Sequence, residues 1–346
     1  MDMTRRGFVG AAAMAAGGLF AVPKKDDFIW AALFHMGTNM WCDQPVTSWG
    51  PYKGEEELSL VCAADHLRFD EKVWRSLTDR MVKVGMNMVI IDLGEAIKYP
   101  SHPELAVKGS WDIDRFRTEL ARLRAMGLEP IPKMNFSTAH DTWLKDYQRM
   151  VSTKQYYKVC EDLIKDVCEI FDRPRFLHLG YDEETDGHQR KYLYCTVRQG
   201  DQWWHDFLWF VKVTENTGMR PWIWSDYVWH HPDLFYKRMP KSVLQSNWYY
   251  SSSFDPDELK AKGKEKYITY VKAYEDLDKA GFDQVPTGSN WSYDTNFAGT
   301  VEHCRKVCSP ERLKGFMMAP WFFTLPAWEK KNLEAIDQVG AVISKG

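Results

Sequence analysis

At 346 residues the chain is long for an ordinary domain but suits a single eight-unit α/β barrel, and 45% hydrophobic with 27% charged residues exclude a disordered chain. A formal charge of −3, with no Lys/Arg run beyond the N-terminus, offers no basic field to a phosphate backbone, so nucleic acid is excluded and a neutral ligand expected. Sixteen Trp, 16 Tyr and 18 Phe supply flat rings that either fill a core or stack on the apolar faces of sugars, and composition alone leaves both readings open.

The chain opens with Arg5-Arg6 followed by a small apolar run, Ala11 to Ala21, and then Pro23-Lys24. This resembles a twin-arginine export signal over residues 1–22, too short to span a bilayer. The expectation is a bacterial, exported or periplasmic protein with no stable membrane insertion once the leader is removed, and a catalytic barrel over residues 27–346. From there β-rich runs alternate with amphipathic helical patterns, which predicts βα units around a parallel sheet, a (β/α)8 TIM barrel in one domain.

The strand-like runs are Ile29 to Met36, Asn87 to Leu93, Glu129 to Asn135, Arg175 to Gly180, Pro221 to Asp226, Ser242 to Trp248, Gln284 to Asn290 and Gly315 to Trp321. Helical patterns cover Glu71 to Val84, Ile113 to Met126, Lys154 to Ile170, Trp203 to Glu215, Tyr274 to Ala280, Phe297 to Val307 and Trp328 to Ser344. Gly85, Gly127, Gly218 and Gly281 each follow a helix and lead into a strand, as helix-closing glycines do. A doubly wound open sheet is the alternative, but His35-Met36-Gly37-Thr38-Asn39 after the first strand supplies no glycine-rich phosphate loop. Seven cysteines form no Cys-x-x-Cys pair, and their odd number cannot close into bridges, so they are expected to be scattered buried thiols with no structural metal. No cofactor is expected.

In such a barrel the residues that matter stand where each strand turns polar. They are His35 and Asn39; Asp92 and Glu95; Lys133, Asn135 and His140; His178, Asp182, Glu183 and Glu184; Trp224 and Asp226; Asn247 and Trp248; Asn290, Trp291, Tyr293 and Asp294; and Trp321. The fourth strand runs into three adjacent carboxylates, Asp182-Glu183-Glu184. Their mutual repulsion and lost solvation are expected to raise at least one pKa toward neutrality; an exposed acidic loop or a helix start is the other reading.

His178-x-Gly180-x-Asp182-Glu183 resembles the His-x-Gly-Gly-Asp-Glu signature of the family-twenty β-N-acetylhexosaminidases, with Tyr181 in place of the second Gly. Leu128 to Pro132 with His140 is similar to that family's third strand, Pro221 to Asp226 to its fifth, Val243 to Trp248 to its sixth and Gly315 to Trp321 to its eighth. The resemblance implies a glycoside hydrolase in which Glu183 protonates the leaving oxygen and Asp182 orients the substrate's own 2-acetamido group, whose oxygen is the nucleophile. It also implies that Tyr293 bonds the acetamido carbonyl and that Trp224, Trp248 and Trp321 wall the sugar, with His178, Glu184, His140, Asp226, Trp291 and Asp294 as further contacts.

The chain departs from the family on the first strand, where Phe34-His35-Met36 lacks an arginine. Lys133 and Asn135 stand in place of Glu and Asp, and Phe322-Phe323 follow Trp321 where a glutamate is usual. The subsite for the nonreducing end must therefore differ. Two other readings remain at this point. One is a metal-dependent sugar isomerase or epimerase drawing its ligands from His35, His140, His178, Asp92, Glu95, Asp182 and Asp226, with His178 or Glu95 required, and the other a catalytically degenerate barrel that binds glycans. His230-His231 reads as a solvated loop pair. Sugar identity, linkage, exo or endo action and oligomeric state are not specified by the sequence.

Overall fold

The structure is a computed structural model that describes residues 28–345; the leader read at residues 1–22 lies outside them. Eight parallel strands are present among the described residues: β1 (Ile29–His35), β2 (Met88–Asp92), β3 (Glu129–Lys133), β4 (Phe176–His178), β5 (Arg220–Trp224), β6 (Leu244–Ser246), β7 (Thr287–Gly288) and β8 (Gly315–Met318). Their order is β6-β5-β4-β3-β2-β1-β8-β7. The two ends of this order meet through single bridges, Gln245 to Gln284 and Trp248 to Thr287, so the sheet curls into a (β/α)8 barrel.

The period-two alternation of the strands divides the core. Ala31, Leu33, Ile90, Ile131, Trp222 and Met317 fill the barrel interior, while Ala32, Phe34, Val89 and Ile91 face the helical shell. The main crossover helices are α1 (Glu71–Lys83), α2 (Ile113–Ala125), α3 (Lys154–Ile170), α4 (Gly200–Asn216), α5 (Pro232–Arg238), α6 (Lys266–Lys279), α7 (Asn296–Val307) and α8 (Glu329–Ile343). α1 shows how they form: the Asp70 side chain accepts from the Lys72 and Val73 amides at its start, and Val73, Trp74, Leu77 and Met81 bury one face. The four glycines read as helix terminators have φ between +81° and +89°.

Three expectations need correction. β7 is two residues rather than Gln284 to Asn290, because Pro286 has no N–H for a ladder. α6 starts at Lys266, well before Tyr274, since the β-branched and aromatic stretch Tyr267 to Val271 is helical where it packs. His230 and His231 are both exposed, as expected of a solvated pair, but His230 ends a short helix, Tyr227–His230, and His231 is the single non-helical residue before α5, whose Pro232 begins it. The thiols are unbridged, but Cys195 is exposed and Cys62 half-buried, unlike the other five. Among the described residues no helix is long and apolar enough to cross a membrane.

Candidate active site

The strand ends converge on a cavity of about 240 Å³ lined by Met40, Trp41, Trp49, Tyr52, Asn135, His140, Asp182, Glu183, Trp224, Trp248, Tyr250, Trp291 and Trp321. The loop after β4 places the two carboxylates here through a strained backbone: Gly180, Tyr181 and Glu183 have φ of +69°, +71° and +56°. The left-handed conformation at Tyr181 explains why glycine suits this place in the signature. The tyrosine is held there by packing, its buried ring lying against Trp203, Phe207 and Phe210 and under the Arg198 guanidinium. At Gly180 a side chain has no room, because a Cβ would lie 2.2 Å from Asn135 Oδ1.

Asn135 in turn fixes the first carboxylate: its Nδ2 donates to Asp182 Oδ1 at 2.9 Å. His140 Nε2 lies 3.4 Å from Asp182 Oδ2 and 3.3 Å from Glu183 Oε2, and His188 Nε2 approaches Glu183 Oε1 at 3.2 Å. Asp226 Oδ2 accepts from the Glu183 amide at 2.9 Å, and Trp248 Nε1 points at Asp226 Oδ1 from 3.5 Å.

This arrangement reverses the expected titration. Burial opposes charge on Asp182 and Glu183, yet His140 holds both carboxyls below their ordinary range, with His188 assisting at Glu183. Burial likewise disfavours the His140 cation, but the two carboxylates outweigh it and push its pKa up to about 10. The carboxyl beside the pair that is raised toward neutrality is Asp226, pushed up to about 7 by burial and then by the negative charge of Asp182; Asp141, next to His140 in the chain, is pushed up to about 8 by burial. At neutral pH the site therefore contains Asp182 and Glu183 ionised, His140 protonated, and Asp226 close to half-protonated.

The third carboxylate of the run is directed away from the cavity. Glu184 receives Arg198 in a bidentate pair, Nε to Oε1 at 2.7 Å and Nη2 to Oε2 at 2.8 Å, and it borders a separate cavity with Tyr227, His230 and His231. His178 is fully buried beneath Trp222 and Trp224, with Nδ1 accepting from the Gly180 amide at 3.1 Å, so it supports the loop without reaching the mouth. Tyr293 is 42% exposed and lines an outer cleft with Tyr267 and Tyr270, and Asp294 is exposed. Neither contributes to the cavity that holds Asp182, because the loop after β7 turns outward beyond Trp291.

Other strand-end residues serve the scaffold. Lys133 Nζ donates to Asp92 at 2.6 Å with His35 3.3 Å from the same carboxylate, all buried. Glu95 accepts the Thr38 and Asn39 amides. Asn247 accepts from Trp229 Nε1, and Asn290 donates to the Lys331 carbonyl. Both oxygens of Glu95 are spent on backbone amides, while His178 uses Nδ1 on the Gly180 amide and leaves Nε2 buried without a hydrogen-bond partner. Among the described residues the group whose ligand atoms converge on a possible cation is His140, Asp182 and Glu183, all within 4.8 Å of one another.

Sequence reasoning overlooked Met40, Trp41, Trp49 and Tyr52, which come from the long segment between β1 and α1, and also Tyr250 and His188. The available signal was the placing of Trp41 and Trp49 in a stretch punctuated by Gly37, Pro45, Gly50, Pro51 and Gly54.

No family model matches the sequence, and no curated protein matches it. Solved structures do. A β-N-acetylhexosaminidase from Bacteroides fragilis superposes with a TM-score of 0.55 at 11% identity, over 92% of this chain and 69% of its own. An exo β-N-acetylglucosaminidase from Vibrio harveyi, in complex with N-acetylglucosamine, gives 0.57 at 12%, over 90% of this chain and 54% of its own. In fold, the chain is similar to hexosaminidases. A Streptomyces plicatus β-hexosaminidase in complex with product GlcNAc gives 0.58 at 12%, over 90% of this chain and 64% of that one. The chain thus spans little more than half to about two thirds of these enzymes, and the similarity covers 90–92% of it.

Proposed function

We propose that the chain is an exported glycoside hydrolase that removes a terminal 2-acetamido sugar with retention. The observation that carries this reading is the adjacent pair Asp182-Glu183 inside an aromatic cavity at the barrel mouth, with a fixed hydrogen-bond partner on Asp182 and a histidine bridging the two carboxylates. The fold shared with hexosaminidases supports it. Glu183 transfers a proton to the glycosidic oxygen as the C1–O bond breaks; the acetamido oxygen, steered by Asp182, bonds to C1. Water then attacks C1, Glu183 takes its proton, and the acetamide is restored. The proton that Glu183 takes from water leaves it in the acid form for the next turnover, whereas in the resting site the neighbouring His140 cation holds Glu183 as the carboxylate.

The test is hydrolysis of aryl β-glycosides with and without a 2-acetamido group, with and without chelator. Cleavage restricted to acetamido sugars and indifferent to chelator is expected. The cluster His140, Asp182 and Glu183 favours a second reading, a divalent-metal enzyme acting on free sugars. Loss of activity on chelation, restored by a divalent ion, would select it. Export is proposed from Arg5-Arg6 and the apolar run behind them, and Arg5→Lys/Arg6→Lys is expected to leave the protein in the cytoplasm on fractionation.

Two further outcomes follow from the geometry. Asp226 titrates near neutrality against Asp182, so the kcat/KM profile should bend near pH 7, and Asp226→Asn should remove that bend. A profile unchanged by the substitution would separate Asp226 from the rate. Gly180→Ala forces a Cβ into Asn135 at a left-handed backbone position and should cost about 1–3 kcal/mol of stability while lowering kcat more than tenfold, by roughly the amount expected for a misplaced carboxylate. Thermal melts and steady-state rates on one preparation check both.

A further inference from the structure

Lys191 stands at the edge of the cavity without a counter-ion. Its ammonium sits 3.3 Å over the ring of Trp49, which lines the cavity, and among the described residues it donates no hydrogen bond and joins no ion pair. The backbone that carries it is tied down. Gln44 Nε2 donates to the Lys191 carbonyl at 2.8 Å, and the buried Tyr192 hydroxyl reaches the Met40 carbonyl at 3.0 Å. The ammonium is thus held between the segment that follows β1 and the loop that follows β4.

The charged groups near it are committed elsewhere. His188 Nε2 lies 3.2 Å from Glu183 Oε1, and Asp186 pairs with Arg190 at 3.0 Å. Asp43 accepts from the Leu193 amide at 3.0 Å and has Arg149 at 3.8 Å. Half-burial opposes the charge of Lys191, and of the two carboxylates in the cavity it is Glu183 whose charge acts on it. An ammonium in this position has given up water for one ring face and still has N–H donors to place. In the hydrolase reading Glu183 faces the leaving group and must be neutral when it delivers its proton. At that stage it offers Lys191 no negative charge, and an acid group on the leaving sugar would supply one.

We infer that the unit on the leaving side of the scissile bond is anionic, a uronate or a sulfated sugar whose acid group pairs with Lys191. The inference rests on the hydrolase reading, which sets the leaving unit beside Glu183. A neutral hydroxyl can also accept from an ammonium, so the discriminating quantity is charge, and a charge-assisted bond at a half-buried site favours the anion by about tenfold.

The test uses two pairs of disaccharides in which N-acetylglucosamine is β-linked to a second sugar: glucuronate against its primary amide, and glucose 6-sulfate against glucose. S-linked analogues, which resist cleavage, are titrated by calorimetry, and the O-linked forms are assayed for release of N-acetylglucosamine. The anionic member of at least one pair is expected to bind about tenfold more tightly than its neutral counterpart and to be cleaved with a correspondingly higher kcat/KM. That preference should shrink as salt screens the charge. Lys191→Gln should bring the ratio below about twofold, whereas Lys191→Arg, which keeps the charge, should retain most of it. A lysine with a merely structural role would lower both members of a pair together. Equal binding within both pairs, no binding of any member, or a preference unmoved in Lys191→Gln overturns the inference. An anion preference in binding with no turnover of any O-linked disaccharide overturns the hydrolase reading and leaves Lys191 as an anion site.

Discussion

Glu183→Gln should lower kcat/KM for an acetamido glycoside with a poor leaving group by about a thousandfold, within the range general acids contribute. The substitution keeps the shape of the side chain and its places beside His140 and His188 while removing the transferable proton. Its signature is a dependence on the leaving group: a nitrophenolate departs without protonation, so the loss should shrink as the leaving-group pKa falls. Asp182→Asn should behave differently. Asp182 is held by Asn135 and His140, and in the proposed mechanism it acts at the acetamide, so its loss should be similar for good and poor leaving groups. Equal activity in the Glu183 variant, or the same leaving-group dependence in both variants, removes the division of labour between them.

Arg198→Met should have the largest effect on stability. Its guanidinium, 4% exposed, satisfies Glu184 through two bonds, reaches Asp206 at 3.1 Å and donates to the Phe136 carbonyl at 2.9 Å. Methionine fills a similar volume but leaves two carboxylates buried without their cation, a change that typically costs about 3–5 kcal/mol. For a chain of this size that corresponds to a fall in Tm of roughly 4–7 °C. Adding Glu184→Gln to the variant should recover part of the loss, since the double variant buries one fewer unpaired charge. Failure to recover any would show that Arg198 acts through Asp206, the Phe136 carbonyl or its stacking on Tyr181 and not through Glu184.

The barrel was legible because its period is short and repeated. Each strand lies within its sequence-derived run or begins one residue before it, and four glycines with positive φ mark the helix ends. Asp182, Glu183, Trp224, Trp248 and Trp321 could be found because a strand end determines which way a side chain faces. Tyr293 and Asp294 could not be placed, since the course of the loop after β7 depends on tertiary packing around Trp291. The titration order was hidden for a similar reason. Three carboxylates in sequence suggested mutual repulsion, but His140, His188 and Arg198 face them from other segments, and Asp226, distant in sequence, received the proton. The tryptophans answered both compositional readings: Trp74, Trp203, Trp204 and Trp222 are interior, while Trp41, Trp49, Trp248 and Trp291 line the cavity.

The joint between β6 and β7 is closed by separate bridges, with amide bonds from Gln245, Val285 and Thr287, whereas β1 and β2 pair over five consecutive residues. Opening a joint of that kind breaks few bonds at once, so amide exchange at Val285 and Thr287 should outpace exchange at Ile90 and Ile91 by orders of magnitude, in line with local rather than global unfolding. Trp248 stands on that joint. The closure of the barrel is thus thinnest on the side of the mouth where Trp248 stands, opposite the fully laddered staves.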